Sequence, residues 1–190
     1  MNKFDRIQLI KSLDLNTEDS VLVTPATSIT SYEHVIAGED RVSVRTLSTN
    51  PNKVNTPHYP IINISDLNKT LHEIFSRGFY AIVAKPIDPK DCLLAGTIWK
   101  QKLSGWIELA DGPCTVRRVT HESMVDYRYN YPNDIIPDRR IREILAAVKA
   151  VPYENCIFEL SYYSIPVGWK NEHIIIWDIT GDGTPNSIKL

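Results

Sequence analysis

Late in the sequence the chain runs Cys156-Ile157-Phe158-Glu159-Leu160-Ser161-Tyr162-Tyr163. It turns through Pro166-Val167-Gly168-Trp169-Lys170-Asn171 and resumes as His173-Ile174-Ile175-Ile176-Trp177-Asp178-Ile179. Two apolar, β-branched and aromatic runs around a Pro/Gly/Asn turn read as a pair of long strands that fold back on each other. Each run carries one carboxylate with apolar residues on both sides. A carboxylate drawn into such surroundings must be neutralised, paired or bound to a cation. In a hairpin the two side chains fall on one face of adjacent strands, which suits oxygen coordination of Mg²⁺ by Glu159 and Asp178. The competing reading makes Glu159 one half of a structural ion pair with a nearby arginine.

The rest of the chain supplies helices and more strands. Phe4, Ile7, Leu9, Ile10 and Leu13 lie close to a helical stripe over residues 3–13. Ser65 is a good N-cap for a helix carrying Leu67, Leu71, Ile74 and Phe75, which Gly78 ends. Asp138 caps a third, with Ile141, Ile144, Leu145 and Val148 on one face and its end near Pro152. Short β-branched runs at 20–24 and 41–47 read as strands joined through a helical turn near Tyr32 to Ile36. Residues 80–84, 97–99, 105–110, 115–120 and 124–129 read as an antiparallel meander. The expected fold is α+β, a largely antiparallel sheet flanked by helices.

With 190 residues the chain is expected to form a single domain, 1–190. The polar stretch from Thr49 to Pro60 reads as a lobe boundary or an active-site loop, which would divide a small lobe, 1–48, from a larger one, 61–190. A second polar break runs from Tyr129 to Pro137.

A formal net charge of −2 gives no field to gather nucleic acid or anionic lipid, so neither partner is expected. Arg117, Arg118, Arg139, Arg140 and Arg142 are diluted by Asp134, Asp138 and Glu143. The absence of a signal-peptide core and of a long apolar run points to a cytoplasmic protein. Cys92, Cys114 and Cys156 are widely spaced and read as buried free thiols. The five histidines show no metal-ligand spacing, so no zinc site is expected. Asp178-Ile-Thr-Gly-Asp182-Gly183 opens like a calcium loop but has Lys189 where the bidentate Glu belongs, and reads as a turn. Only 8 Gly are present, with no GxGxxG or P-loop pattern. Trp99, Trp106, Trp169 and Trp177 read as core or interface residues, with Trp177 alternatively walling an adenine.

Three basic residues remain as candidates. Arg45 lies mid-strand in SVRTLS, and Arg117 lies in TVRRVT, where alternation turns it away from Arg118. Each is either a partner for an acidic group or a phosphate fork. Lys85, at a strand end before Pro86, is open to the same two readings.

Taken in order, RVSVRTLSTN, LNKTLHEIF, YAIVAKPIDPKDCLLAGTIW, GWIELADGPCTVRRVTHESMVDY, IFELSYY and HIIIWDIT resemble the ATP-grasp nucleotide-binding domain as it occurs in phosphoenolpyruvate synthase and pyruvate phosphate dikinase. The resemblance spans roughly Arg41 to Thr180. It implies a phosphate contact at Arg45, hinge contacts to adenine near Lys85, and Mg²⁺ on Glu159 and Asp178, with Thr180 where many members have a metal-binding Asn. Only 40 residues precede Arg41, so a reduced form lacking most of the N-terminal lobe is expected.

Two functions follow as expectations. One is a reduced ATP-grasp-like protein that binds ATP and Mg²⁺ for carboxylate activation or phosphoryl transfer. There Glu159 and Asp178 hold the metal, and Arg45 or Arg117 stabilises developing charge. The other keeps the fold without the chemistry: a non-catalytic protein, a homo-oligomer in that reading, that binds a small ligand or serves assembly.

Overall fold

A computed structural model describes residues 2–48, 58–101, 104–112, 124–130 and 138–181. The chain divides into two compact units, one of Asn2–Phe4 and Glu18–Ile87, the other of Asp5–Thr17 and Asp88–Leu190.

The smaller unit is a four-stranded antiparallel sheet of β1 (Ser20–Val23), β2 (Arg41–Ser48), β3 (His58–Asn63) and β4 (Phe79–Ala84), in the order β1-β4-β2-β3. Strand β4 lies between two neighbours, and Ala81, Ile82, Val83 and Ala84 are all buried, as expected of a strand covered on both faces. Helix α2 is a single turn, Glu33–Ile36, and α3 runs Leu67–Ser76. In α3, Leu67, Leu71 and Ile74 are buried at three- and four-residue spacing, each stabilising the fold by about 1.5–3 kcal/mol. Gly78, at φ +75°, ends the helix, and its N–H donates to the Phe75 carbonyl.

Strand β3 departs from the sequence reading, which assigned residues through Pro60 to a polar connection. It is an edge strand, so the N–H that Pro60 lacks is not needed by a neighbour. The strands that flank this stretch, β2 and β3, are paired within one sheet.

The larger unit holds α1 (Lys3–Ser12), whose residues from Asp5 belong to it, and a five-stranded antiparallel sheet. Its strands are β5 (Cys92–Lys100), β6 (Ser104–Asp111), β7 (Met124–Asn130), β8 (Cys156–Val167) and β9 (Glu172–Gly181), in the order β7-β6-β5-β8-β9. Helix α4 (Arg139–Lys149) follows β7 in sequence. The α+β class stands, but the single meander does not: β4 belongs to one sheet and β5, β6 and β7 to the other. The expected strand at 115–120 and Cys114 lie outside the described residues.

Ile10 of α1 and Ile141, Ile144, Leu145 and Val148 of α4 share one apolar core with residues of β5, β6, β8 and β9. Asp138 caps α4, its carboxylate accepting the Arg140 N–H at 2.8 Å. The opposite end is closed by buried Lys100, whose Nζ donates to the carbonyl of Val151 and, at 3.4 Å, to that of Lys149. Burial pulls the Lys100 pKa down, yet its charge still favours the negative end of the helix.

Residues 14–17 are bound to the turn between β8 and β9. Asn16 Nδ2 donates to the carbonyls of Val167 and Ile174, both at 2.8 Å, and Asn16 Oδ1 accepts the Lys170 N–H at 2.9 Å. Gly168 lies against them at φ +79°. A Cβ there would stand 2.5 Å from the Thr17 carbonyl oxygen and 2.7 Å from Asn16 Oδ1, which leaves room for glycine alone.

Cys92 and Cys156 are buried and free, as expected. Burial pushes the Cys156 thiol up to about 11, so at pH 8 only about one molecule in a thousand carries the reactive thiolate. Iodoacetamide at pH 8 should therefore leave Cys156 unmodified in the folded protein and alkylate it after denaturation, as read by peptide mass. Native-state labelling at the denatured rate would contradict this packing.

The tryptophans are not uniformly core residues. Trp99 is 48% exposed and Trp169 38%, while the part-buried Trp177 donates its indole N–H to Ser161 Oγ at 2.8 Å. Trp169 instead holds the chain together through its polar edge, Nε1 donating to the Leu15 carbonyl at 2.8 Å.

Candidate functional site

The hairpin inferred from the sequence is present, and Glu159 of β8 pairs directly with Asp178 of β9. Cross-strand partners project from the same face of a sheet. Phe158 and Leu160, either side of Glu159, point into the core, so Glu159 points away from it.

Asp178 reaches that face through a β-bulge. Leu160 pairs with Ile176 while Glu159 pairs with Asp178, which leaves Trp177 as an extra residue in β9. Ile176 and Ile179 both belong to the core, three positions apart rather than two or four, as one inserted residue requires. The hydrogen bond from Trp177 to Ser161 places the extra residue on the Glu159 side.

The two carboxylates have different surroundings. Asp178 is buried, and its Oδ1 accepts the Ile179 N–H at 2.9 Å. Its Oδ2 meets Arg6 Nη1 of α1 at 2.6 Å. Glu159 is exposed and has no ion-pair partner among the described residues. The arginine expected on Glu159 is thus found on its neighbour. Thr97 of β5 pairs with Glu159 from the other side, and Trp99 pairs with Ile157 on the same face. Trp99 and Ile157 are exposed, so this face carries both carboxylates and an apolar surface.

Arg6 is the residue that sequence reasoning missed. It borders the stripe of Ile7 and Ile10 and carries no motif; only the folded chain brings it to a residue 172 positions away.

The other candidates lie elsewhere. Arg45 and Lys85 belong to the smaller unit. Arg45 Nη1 and Nη2 fork the Glu18 carboxylate at 3.2 and 3.1 Å, and Glu18 is almost completely buried. Lys85 Nζ lies 3.5 Å from Glu39, and its N–H donates to the Asp19 carbonyl. Arg117 lies outside the described residues, as does Asp182 of the calcium-like turn. Arg139 and Arg140 are held by Glu143 and Asp138 at 2.7 and 2.6 Å, which takes two charges out of the basic cluster. The Arg140 hydrogen bond holds the Asp138 carboxyl below its usual range.

Among the described residues no group of three or more His, Cys, Asp and Glu side chains forms a metal cage. The donor chemistry of Glu159 and Asp178 nevertheless fits Mg²⁺, which is commonly held by one or two carboxylates together with ligand phosphates. The guanidinium on Asp178 Oδ2 shows that a cation is accommodated there.

Comparison with known proteins places this architecture. No protein-family profile matches the chain, and no curated protein sequence matches it. Among solved structures it resembles the macrocyclase MdnC bound with precursor peptide MdnA from Microcystis aeruginosa, with a TM-score of 0.52 and 13% identity over 93% of this chain and 51% of that one. It also resembles a D-alanine–D-alanine ligase from Bacillus anthracis, with a TM-score of 0.51 and 13% identity over 94% of this chain and 55% of that one. A third is N5-carboxyaminoimidazole synthase from Aspergillus clavatus in complex with ADP and 5-aminoimidazole ribonucleotide, with a TM-score of 0.50 and 13% identity over 94% and 43%. All three are ATP-grasp fold proteins, and the chain has an ATP-grasp-like α+β fold. It spans about half the length of these structures. No described helix is long and apolar enough to cross a membrane.

Proposed function

We propose that this chain binds ATP with Mg²⁺ and activates a carboxylate or transfers a phosphoryl group, as a cytoplasmic ATP-grasp-like ligase or phosphotransferase. The observation that carries the reading is the direct pairing of exposed Glu159 with buried Asp178 on the face of the β8–β9 hairpin opposite Phe158 and Leu160. ATP-grasp proteins with this fold include ligases, and one was solved with ADP bound. Within that fold the order of segments from Arg41 to Thr180 favours the phosphoenolpyruvate synthase and pyruvate phosphate dikinase type.

In this reading Glu159 and Asp178 hold the metal and Thr180 lies beside them. When bound, Mg²⁺ neutralises phosphate oxygens and orients them for displacement. Glu159, exposed and without an ion-pair partner among the described residues, is the first carboxylate available to a cation. Asp178 is oriented by the Ile179 N–H, which fixes its Oδ1. Arg45, forked on Glu18, contributes positive charge toward phosphate, and Arg117 adds a second. Lys85 contacts the adenine end. The partner is a small-molecule acceptor.

Thermal unfolding tests this. ATP with Mg²⁺ at about 100 times its dissociation constant should add about 2.7 kcal/mol of stability, and thus raise Tm by about 5–10 °C. Glu159→Gln and Asp178→Asn should each remove most of that gain. A wild-type Tm unmoved by saturating ATP and Mg²⁺ would overturn the proposal and favour the non-catalytic small-ligand or assembly protein.

A further inference from the structure

We propose that Arg6 is a built-in counter-cation that occupies Asp178 in the metal-free protein and must leave before a divalent metal can bind, an inference that rests on the metal reading of Glu159 and Asp178. Asp178 is buried, and its charge is met by the Ile179 N–H on Oδ1 and by the Arg6 guanidinium, 2.6 Å from Oδ2. A guanidinium and a divalent metal seek the same carboxylate lone pairs. Two cations on one oxygen repel each other, so their occupancies are mutually exclusive.

The geometry allows an exchange without rebuilding the fold. Ile7 and Ile10 are fully buried and fix α1, whereas the Arg6 side chain remains 29% exposed and lies on a flexible stem. It can swing into solvent while the helix stays in place. Glu159 has no competing cation among the described residues, so it receives the metal first, and Asp178 closes on it once Arg6 has left. The displaced guanidinium is then an unpaired planar fork beside a metal site. Phosphate oxygens match such a fork. Metal alone must therefore break the Arg6–Asp178 pair without recompense, whereas metal with a polyphosphate gives Arg6 a new anionic partner. The two ligands should bind with positive coupling that depends on Arg6.

Mn²⁺ binding, followed by electron paramagnetic resonance with and without ATP, tests the idea on the full chain. In Arg6→Gln, Mn²⁺ alone should bind on the order of tenfold tighter than in wild type, the usual scale of coupling between competing ligands. Arg6→Lys, which keeps the charge, should stay close to wild type. ATP should tighten Mn²⁺ binding more in wild type than in Arg6→Gln. Independently of any variant's folding, the Arg6 Nε–Hε resonance of the wild-type protein should shift when Mg²⁺ is added. Equal Mn²⁺ affinity in wild type and Arg6→Gln, or an Arg6 resonance unmoved by bound Mg²⁺, overturns the role of Arg6 and leaves the metal reading intact. Failure of wild type and Arg6→Gln alike to bind Mn²⁺, with or without ATP, overturns both.

Discussion

Replacing Asn16 with alanine is expected to lower the free energy of unfolding by about 3–5 kcal/mol, because several backbone groups lose their partner at once. The Asn16 side chain is buried, donates to the Val167 and Ile174 carbonyls and accepts from the Lys170 N–H. Water cannot simply take its place: Gly168 is packed so close that even a Cβ would overlap the surrounding atoms. The corresponding fall in Tm is about 10 °C or more. Urea unfolding of wild type and variant checks the value, and a loss below about 1 kcal/mol would mean that the turn re-forms its bonds with solvent. Since the turn joins the strands that carry Glu159 and Asp178, such a variant should also lose metal binding when partly unfolded. Mn²⁺ titration at a temperature where the variant is fully folded separates the two effects.

Arg45→Met should be the second large loss, about 2–4 kcal/mol, since it strands the buried Glu18 carboxylate without its guanidinium. Part of the usual cost is absent because the Arg45 side chain is 30% exposed and water screens it. Glu18→Leu combined with Arg45→Met should recover to within about 1 kcal/mol of wild type, because no charge is then left unpaired. The comparison matters for function. Loss of ATP binding in Arg45→Met alone would be ambiguous, whereas a stable double variant that still fails to respond to ATP and Mg²⁺ assigns Arg45 to the ligand. A double variant that keeps the full response removes Arg45 from the site and makes the Arg45–Glu18 pair purely structural.

Elements whose pattern lies within a few residues were legible in the sequence. The apolar spacing of α3 and α4, the Asp138 cap and the Gly78 stop are local signals, and they coincide with the structure. Strand β3 was hidden because Pro60 and its polar surroundings argue against a strand, and only its edge position removes the objection. The division into two sheets was also hidden. The interval between β4 and β5 holds Pro86 and Pro89, which announce a turn but not the sheet to which the next strand belongs. For the candidate site, the hairpin follows from the two C-terminal runs, whereas the direct pairing of Glu159 with Asp178 depends on two register shifts between the turn and the carboxylates that no local pattern announces. Arg6 could not be read in this way. Its pairing spans most of the chain, and a single arginine on a helix has no local feature that names its partner. The exposure of Trp99 was likewise invisible, because hydrophobicity predicts burial only on average.

The bulge at Trp177 makes the site a matter of counting rather than of composition. A strand works as a two-stroke counter, and an added or deleted residue exchanges its faces from that point onward unless a bulge absorbs it, as the one at Trp177 does. With Ile176 on the inner stroke, the same residues run in unbroken alternation, without the bulge, would turn Ile179 outward and the Asp178 carboxylate among the isoleucines, whereas a strand lacking Trp177 would keep both as they stand. Chains related to this one are therefore better compared by strand length between Leu160 and Asp178 than by whether an acidic residue can be aligned there. An aligned aspartate in the wrong phase would belong to the core and could hold no ligand, while an aspartate displaced by one position in sequence could stand in the same place in space.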